Sequence, residues 1–415
     1  MKLSIIVIGD EILLGQVTDT NSGAIARTFD PLGWQVASVS TVGDDPRVIS
    51  DAVNRTFDSS DFVITTGGLG PTKDDITKTV LMENFGGHLE YDESVAENIR
   101  RVFALRGLKL NASTEAQAMV PSSCRVIQNL YGTAPIMWFA RDGKVLVSMP
   151  GVPFETEGML PEVARQAIQY YQSELRLMHR SAMVTGITES ALSERLEDYE
   201  RNLAPGLHLA YLPTPGLIRL RLDGQAKSTD TEFEQVFNLA FEKLRDELGD
   251  YLIYDGDATA AEILLDMLRR HGLTVATAES CTGGSIASRI TAIAGASDVY
   301  AGSVVSYSND VKNRALGVAA DDLATYGAVS RPVVEQMARG VCRLTGARCS
   351  MATSGIAGPG GGSPEKPVGT VWMAWCVDGR VESREFHFPG NRARVIDRAA
   401  TEAMLQLVNQ IRNHE

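Results

Sequence analysis

Apolar residues are distributed along this chain in two alternating rhythms. Short β-rich runs at 3–8, 62–66 and 145–149 each end in Gly or Pro and are separated by stretches with helical spacing. Strands alternating with helices predict a parallel sheet. Within 94–105, Val95, Ile99 and Val102 recur at i, i+4 and i+7, which gives a helix one buried stripe, read as core rather than as a cofactor box.

After about residue 170 the rhythm changes. A strand-like 182–185, a helical 190–199 and an alternating 218–222 precede a long helix in which Phe233, Val236, Phe237, Ala240, Phe241, Leu244 and Leu248 keep a helical period. These make a small α+β module. The alternation puts Arg219 and Arg221 on one face of a half-exposed strand, where a solvated face is expected. A third unit begins with a turn at Tyr254-Asp255-Gly256-Asp257, before a helical 260–270. Its strand candidates are 273–278, 303–307, 349–353 and 370–375. The expected fold class is α/β: two three-layer α/β domains, 1–170 and 254–415, joined by the α+β module at 171–253.

Composition narrows the function. At 415 residues and 44% apolar content the chain can bury several cores. A net charge of −13 works against nonspecific binding of nucleic acid or anionic membranes, although a local basic pocket such as Arg392 with Arg394 fits that balance. The apolar opening is interrupted by Gly9-Asp10-Glu11 before a secretory segment or membrane span is complete, so a cytoplasmic enzyme is expected. Five scattered cysteines without a CxxC pair support neither a disulfide framework nor a zinc site.

Three strings carry candidate chemistry. Ala278-Glu279-Ser280-Cys281-Thr282-Gly283-Gly284 places a serine where a strand hands over to a helix. Helix-start N–H groups are unpaired and favour an ionising hydroxyl or a phosphate. Ser306-Tyr307-Ser308-Asn309-Asp310-Val311-Lys312 offers a phenol and an amine, and 354–362 is a glycine-rich loop. Two of the three strings follow the C-terminal end of a strand candidate, where open α/β sheets bind ligands. No histidine lies near them, His271 and His387 being the nearest in sequence. A serine hydrolase without histidine is the reading. Ser280 fits the nucleophile; the bland alternative is a helix N-cap, and Cys281 is a rival nucleophile.

At these residues the chain resembles the competence/damage-inducible protein A (CinA) family over essentially its full length. The motifs AESCTGG, YSNxxK, SGIAGPGGG, KPVGTVW and FPGNR occur in order in the last third, and GDEILLGQVTDTN, TTGGLGPTKDD and MPGVPFE in the first. The resemblance implies a carboxy-terminal nicotinamide mononucleotide deamidase domain that needs no cofactor, with Lys312 as the base and Tyr307 as a substrate-contacting or proton-relaying group. Burial and nearby positive charge from Arg392 are expected to lower the Lys312 pKa. Ser354 and Arg392 match substrate-binding positions, with Gly355 and Gly358 in the same loop as Ser354. The N–H groups of Gly283 and Gly284, or those around Ser354, are candidates for the oxyanion hole.

The resemblance also implies an amino-terminal molybdopterin-binding-type domain, associated with metal-dependent hydrolysis of ADP-ribose, and a KH-like middle module. No GxxG loop occurs between 171 and 252, so RNA binding is not expected there. In the amino-terminal domain, Gly67, Gly68, Gly70 and Thr72 are expected to hold phosphate. Asp10, Asp74 and Asp75, and less strongly Glu11, are expected to ligate magnesium or a similar ion or its water. Asp45-Pro46 reads as a helix cap. The expected partners are small nucleotides and a second copy of the chain, with no nucleic acid and no membrane. Two further readings stay open: an amino-terminal pterin- or nucleotide-binding module without turnover, and a competence-related scaffold.

Overall fold

The computed structural model describes all residues except 71, 73, 74, 172–174, 228, 229, 414 and 415. The chain forms two compact units, Met1–Met178 with Gly224–Glu234, and His179–Asp223 with Gln235–Glu415.

In the first unit a six-stranded sheet runs Gln35–Val42, Lys2–Ile8, Phe62–Thr66, Lys144–Met149, Ile136–Arg141, Arg125–Ile127. The first four strands are parallel and the last two antiparallel. Alternation along the central strands feeds two cores. Leu3, Ile5, Phe62, Ile64, Val145 and Val147 pack with helices Asn21–Phe29 and Pro153–Tyr171 on one face. Ile6, Ile8, Val63 and Leu146 pack with Pro46–Ser59 and Thr77–Phe85 on the other. This is a three-layer α/β arrangement. Asp45 caps the Pro46–Ser59 helix, accepting from the N–H groups of Arg47 and Val48.

The second unit carries two sheets. The smaller runs Leu207–Thr214, Leu217–Lys227, Leu175–Val184, Leu252–Asp255, with helices Glu189–Arg201 and Thr231–Leu248. Phe237, Phe241, Leu244 and Leu248 are buried as the helical period predicts, whereas Val236 is exposed. Tyr254 and Asp255 extend the last strand rather than opening a turn, because they pair with Met183 and Ala182. The two arginines of the alternating strand are ion-paired, Arg219 to Asp257 and Arg221 to Asp223.

The larger sheet runs Tyr300–Val305, Val275–Glu279, Cys349–Gly355, Thr370–Val377, Arg380–His387. Its first three strands are parallel. Val275, Met351, Met373 and Trp375 face helices Ala260–Arg270, Ser285–Thr291 and Arg392–Arg412. Ala276, Ala278, Ala352 and Ala374 face Arg331–Thr345, whose close approach these small residues permit. The strand expected at 303–307 lies at Tyr300–Val305, so Ser306 and Tyr307 fall beyond its end. Among the described residues, no helix is long and apolar enough to cross a membrane.

Candidate active site

Register builds the site. Glu279 pairs with Val305 on one neighbouring strand and with Thr353 on the other. One residue further along, Ser280, Ser306 and Ser354 therefore reach the same level at the C-terminal edge of the parallel strands. Two hydrogen bonds continue the ladder there, Ser280 N–H to Thr353 O at 3.0 Å and Ser306 N–H to Glu279 O at 2.8 Å. The chain then reverses through Gly283 and Gly284, both in the left-handed region at φ 61° and 95°, into the Ser285–Thr291 helix. Glycine adopts those angles without a Cβ penalty.

Lys312 enters from the first turn of the Asn309–Leu316 helix, which Ser308 caps. Its side chain is only 1% exposed. Nζ lies 3.0 Å from Ser280 Oγ and 2.6 Å from Ser306 O. Burial lowers the lysine's pKa from its ordinary value. The expected help from Arg392 is not a cause of that shift; burial is. Cys281 is also buried, and burial pushes its thiol up to about 12, the opposite of an activated thiolate.

Arg392, the first residue of the Arg392–Arg412 helix, donates to Gly358 O at 3.0 Å and to the Tyr307 hydroxyl at 2.8 Å. No carboxylate of the described residues pairs with it. Tyr307 is 62% exposed, and its recorded hydrogen bond is to Arg392 rather than to Ser280 or Lys312. The phenol therefore belongs to the rim of the site and not to its proton-transfer pair. Ser354 is buried and donates its hydroxyl to Ala328 O at 2.7 Å. Gly355 and Gly358 answer packing demands: a Cβ on Gly355 would meet Thr370 O at 2.8 Å, and one on Gly358 would meet Val368 Cγ1 at 2.6 Å.

The oxyanion expectation at Gly283 and Gly284 is corrected by a residue the sequence reading left without a role. Glu279 is fully buried; its Oε2 accepts from the N–H groups of Gly284 (3.0 Å) and Ile286 (3.1 Å), and its Oε1 from that of Ala287 (2.9 Å). Gly283 N–H is taken by Ser280 O at 3.1 Å. The helix start is thus filled by the protein's own carboxylate. The N–H groups of Cys281 and Thr282 donate to no backbone acceptor among the described residues and remain as candidate donors beside Ser280. The sequence signal for Glu279 was present: an acidic residue closing an apolar run just before a helix start.

In the first unit a pocket of about 610 Å³ is lined by Asp10, Glu11, Asp44, Asp75 and the Gly67–Gly70 backbone, with Gly151 and Val152 at its rim. Asp75 is not a free ligand. Its Oδ1 accepts from Gly70 N–H at 2.6 Å, and its Oδ2 from Thr72 N–H at 2.8 Å and from the Thr72 hydroxyl. Gly70 and Thr72, expected on phosphate, are consumed by that carboxylate, and Gly67 N–H is taken by Met149 O. Gly68 N–H has no partner among the described residues. Asp10 and Asp44 exchange main-chain to side-chain bonds at 3.0 and 3.3 Å. Burial, with the charges of Asp10, Glu11 and Asp75, raises the pKa of Asp44, a residue outside the expected set. Among the described residues no three His, Cys, Asp or Glu side chains are gathered to hold a metal ion, and Asp74 lies outside the described residues.

The fold and site together define a protein of several α/β layers with a buried Ser–Lys pair at the edge of a parallel sheet. Family models match in order along the chain: "Probable molybdopterin binding domain" over 4–170, "Damage-inducible protein CinA KH domain" over 179–253, and "CinA C-terminal domain" over 257–411. A CinA-like protein of Cytophaga hutchinsonii is 40% identical over 98% of this chain and 97% of its own. One from Gemmatimonas aurantiaca is 40% identical over 98% and 96%. A solved structure of CinA from Thermoplasma acidophilum, described as of unknown function, is 35% identical over 40% of this chain and 96% of its own, with a TM-score of 0.37. The chain belongs to the CinA family.

Proposed function

We propose that the carboxy-terminal domain is a nicotinamide-nucleotide amidohydrolase, converting nicotinamide mononucleotide to nicotinic acid mononucleotide and ammonia. The observation that carries this reading is a buried amine of lowered pKa 3.0 Å from a serine hydroxyl. A neutral Lys312 has one lone pair for the Ser280 proton and two N–H groups, one of them on Ser306 O. Ser280 Oγ attacks the carboxamide carbon as its proton passes to Nζ, and the C=O electron pair moves onto oxygen beside the Cys281 and Thr282 N–H groups. Collapse breaks the C–N bond, and Lys312 returns the proton to the leaving nitrogen, which departs as ammonia. Water, deprotonated by the same amine, then hydrolyses the acyl-enzyme. The scheme uses no cofactor. Arg392, with no carboxylate partner among the described residues, offers the nucleotide phosphate a planar fork of donors. The substrate's identity rests on the family motifs.

Ammonia release from nicotinamide mononucleotide by the wild type, Ser280→Ala and Lys312→Ala tests the scheme. Release by the wild type alone is expected. Retained turnover in Ser280→Ala, with Cys281 intact, removes serine from the mechanism.

For the amino-terminal domain one observation favours binding of a pterin or nucleotide over hydrolysis of ADP-ribose: Asp75 lines the pocket but has both carboxylate oxygens engaged by the Gly70 and Thr72 N–H groups. The full chain incubated with ADP-ribose and a series of divalent ions is expected to release no AMP. Release with any of them restores the hydrolase.

A further inference from the structure

Ser306 carries an unmet polar atom at the centre of the site. Its N–H is on Glu279 O, its C=O is on Lys312 Nζ, and its hydroxyl, on a residue with 0% exposure, has no hydrogen-bond partner among the described residues. A buried hydroxyl without a partner costs about 1–3 kcal/mol, so it is a position to question. Lys312 is the complementary case. Its nitrogen makes two hydrogen bonds, to Ser280 Oγ and Ser306 O. Once protonated it carries three N–H groups, and the third has no acceptor among the described residues. An unmet donor thus arises, during turnover, on the atom that touches the residue holding the unmet acceptor.

We propose that Ser306 is a positioning residue for the base: after Lys312 takes the proton of Ser280, the Ser306 hydroxyl turns about its Cα–Cβ bond and accepts the third N–H of the ammonium. This inference rests on the amidohydrolase reading above. The proton count is unchanged by it. One proton moves from Oγ to Nζ, later to the leaving nitrogen, and Ser306 neither gains nor loses one. Its contribution is to stabilise the ammonium in a place where burial disfavours it. At rest the neutral amine has less need of a further acceptor, which accounts for the idle hydroxyl.

The test uses the full chain with Ser306→Ala and Ser306→Thr, nicotinamide mononucleotide as substrate, and ammonia release followed across pH. Removing an acceptor from the ammonium lowers the lysine's pKa. The acid limb of kcat in Ser306→Ala is therefore expected to move down by about one pH unit, with the plateau about tenfold lower and KM little changed. Ser306→Thr, which keeps the hydroxyl, restores both. A purely structural hydroxyl would lower the melting temperature and leave the acid limb in place. An unmoved acid limb in Ser306→Ala overturns the inference, whatever happens to the plateau. Absence of ammonia release by the wild type overturns the amidohydrolase reading itself, so the two failures are distinct.

Discussion

Replacing Glu279 by Gln tests the clamp that sets Ser280 in place. The two carboxylate oxygens differ in load: Oε2 takes the N–H groups of Gly284 and Ile286, and Oε1 takes that of Ala287 and, at 3.3 Å, the Thr277 hydroxyl. A glutamine keeps one acceptor and turns the other into a donor. The orientation that spares the Oε2 pair sacrifices the Ala287 bond. Thr277 is less affected, because Ser303 Oγ and Tyr300 OH lie within 2.7 and 3.0 Å of its hydroxyl. The loss is one charge-assisted hydrogen bond, about 1.5–3 kcal/mol, together with the attraction between a carboxylate and a helix start, about 1 kcal/mol. A total near 3 kcal/mol is a large part of the 5–15 kcal/mol or so that holds a typical protein folded. For a unit of roughly 200 residues it corresponds to a fall in melting temperature of about 6–12 °C. Thermal unfolding of the full chain by circular dichroism reads the stability, and ammonia release reads the site. Because the turn from Ser280 to Gly284 hangs from this carboxylate, kcat is expected to fall with the melting temperature. A Glu279→Gln protein that melts and turns over like the wild type would show that the buried carboxylate is not the clamp.

Three further outcomes follow from the same geometry. A lysine held below its ordinary pKa is neutral in the folded chain over a pH range where the unfolded chain binds the proton, so folding is penalised below about pH 10.4 and the penalty fades as pH rises to that value. Lys312→Met abolishes ammonia release, and its stability relative to the wild type declines as pH rises across that window, by about 1.4 kcal/mol per unit; a pH-independent difference refutes the assignment. Arg392→Ala raises KM for nicotinamide mononucleotide by about tenfold or more and leaves turnover of the dephosphorylated riboside unchanged; equal effects on both substrates remove the arginine from phosphate binding. Asp75→Ala destabilises the amino-terminal unit by about 1–3 kcal/mol through the loss of its bonds to Gly70 and Thr72, visible as an earlier melting transition, and an unchanged transition contradicts the loop-holding role.

Much of this protein is legible in its residue order. Period-2 runs bounded by glycines and period-3.6 stripes are local consequences of backbone geometry, so the alternating layers, the middle module and the strand-to-helix position of Ser280 follow from the chain alone. The least legible strands are edge strands such as Gln35–Val42 and Arg380–His387, whose exposed faces carry polar or charged residues and blur the alternation. What no local pattern decides is which of several neighbouring donors an acceptor captures. Gly283, Gly284, Gly70 and Thr72 all stand in loops suited to anions, yet Ser280 O, Glu279 and Asp75 take their N–H groups first. The exposure of Tyr307, the pairing of Arg392 with Gly358, and the meeting of Ser280 with Lys312 32 residues away are settled likewise by strand register and helix packing. Sequence specifies which groups are present and on which element they ride. Tertiary structure decides which are left without a partner, because hydrogen bonds are short and directional and each donor is spent once.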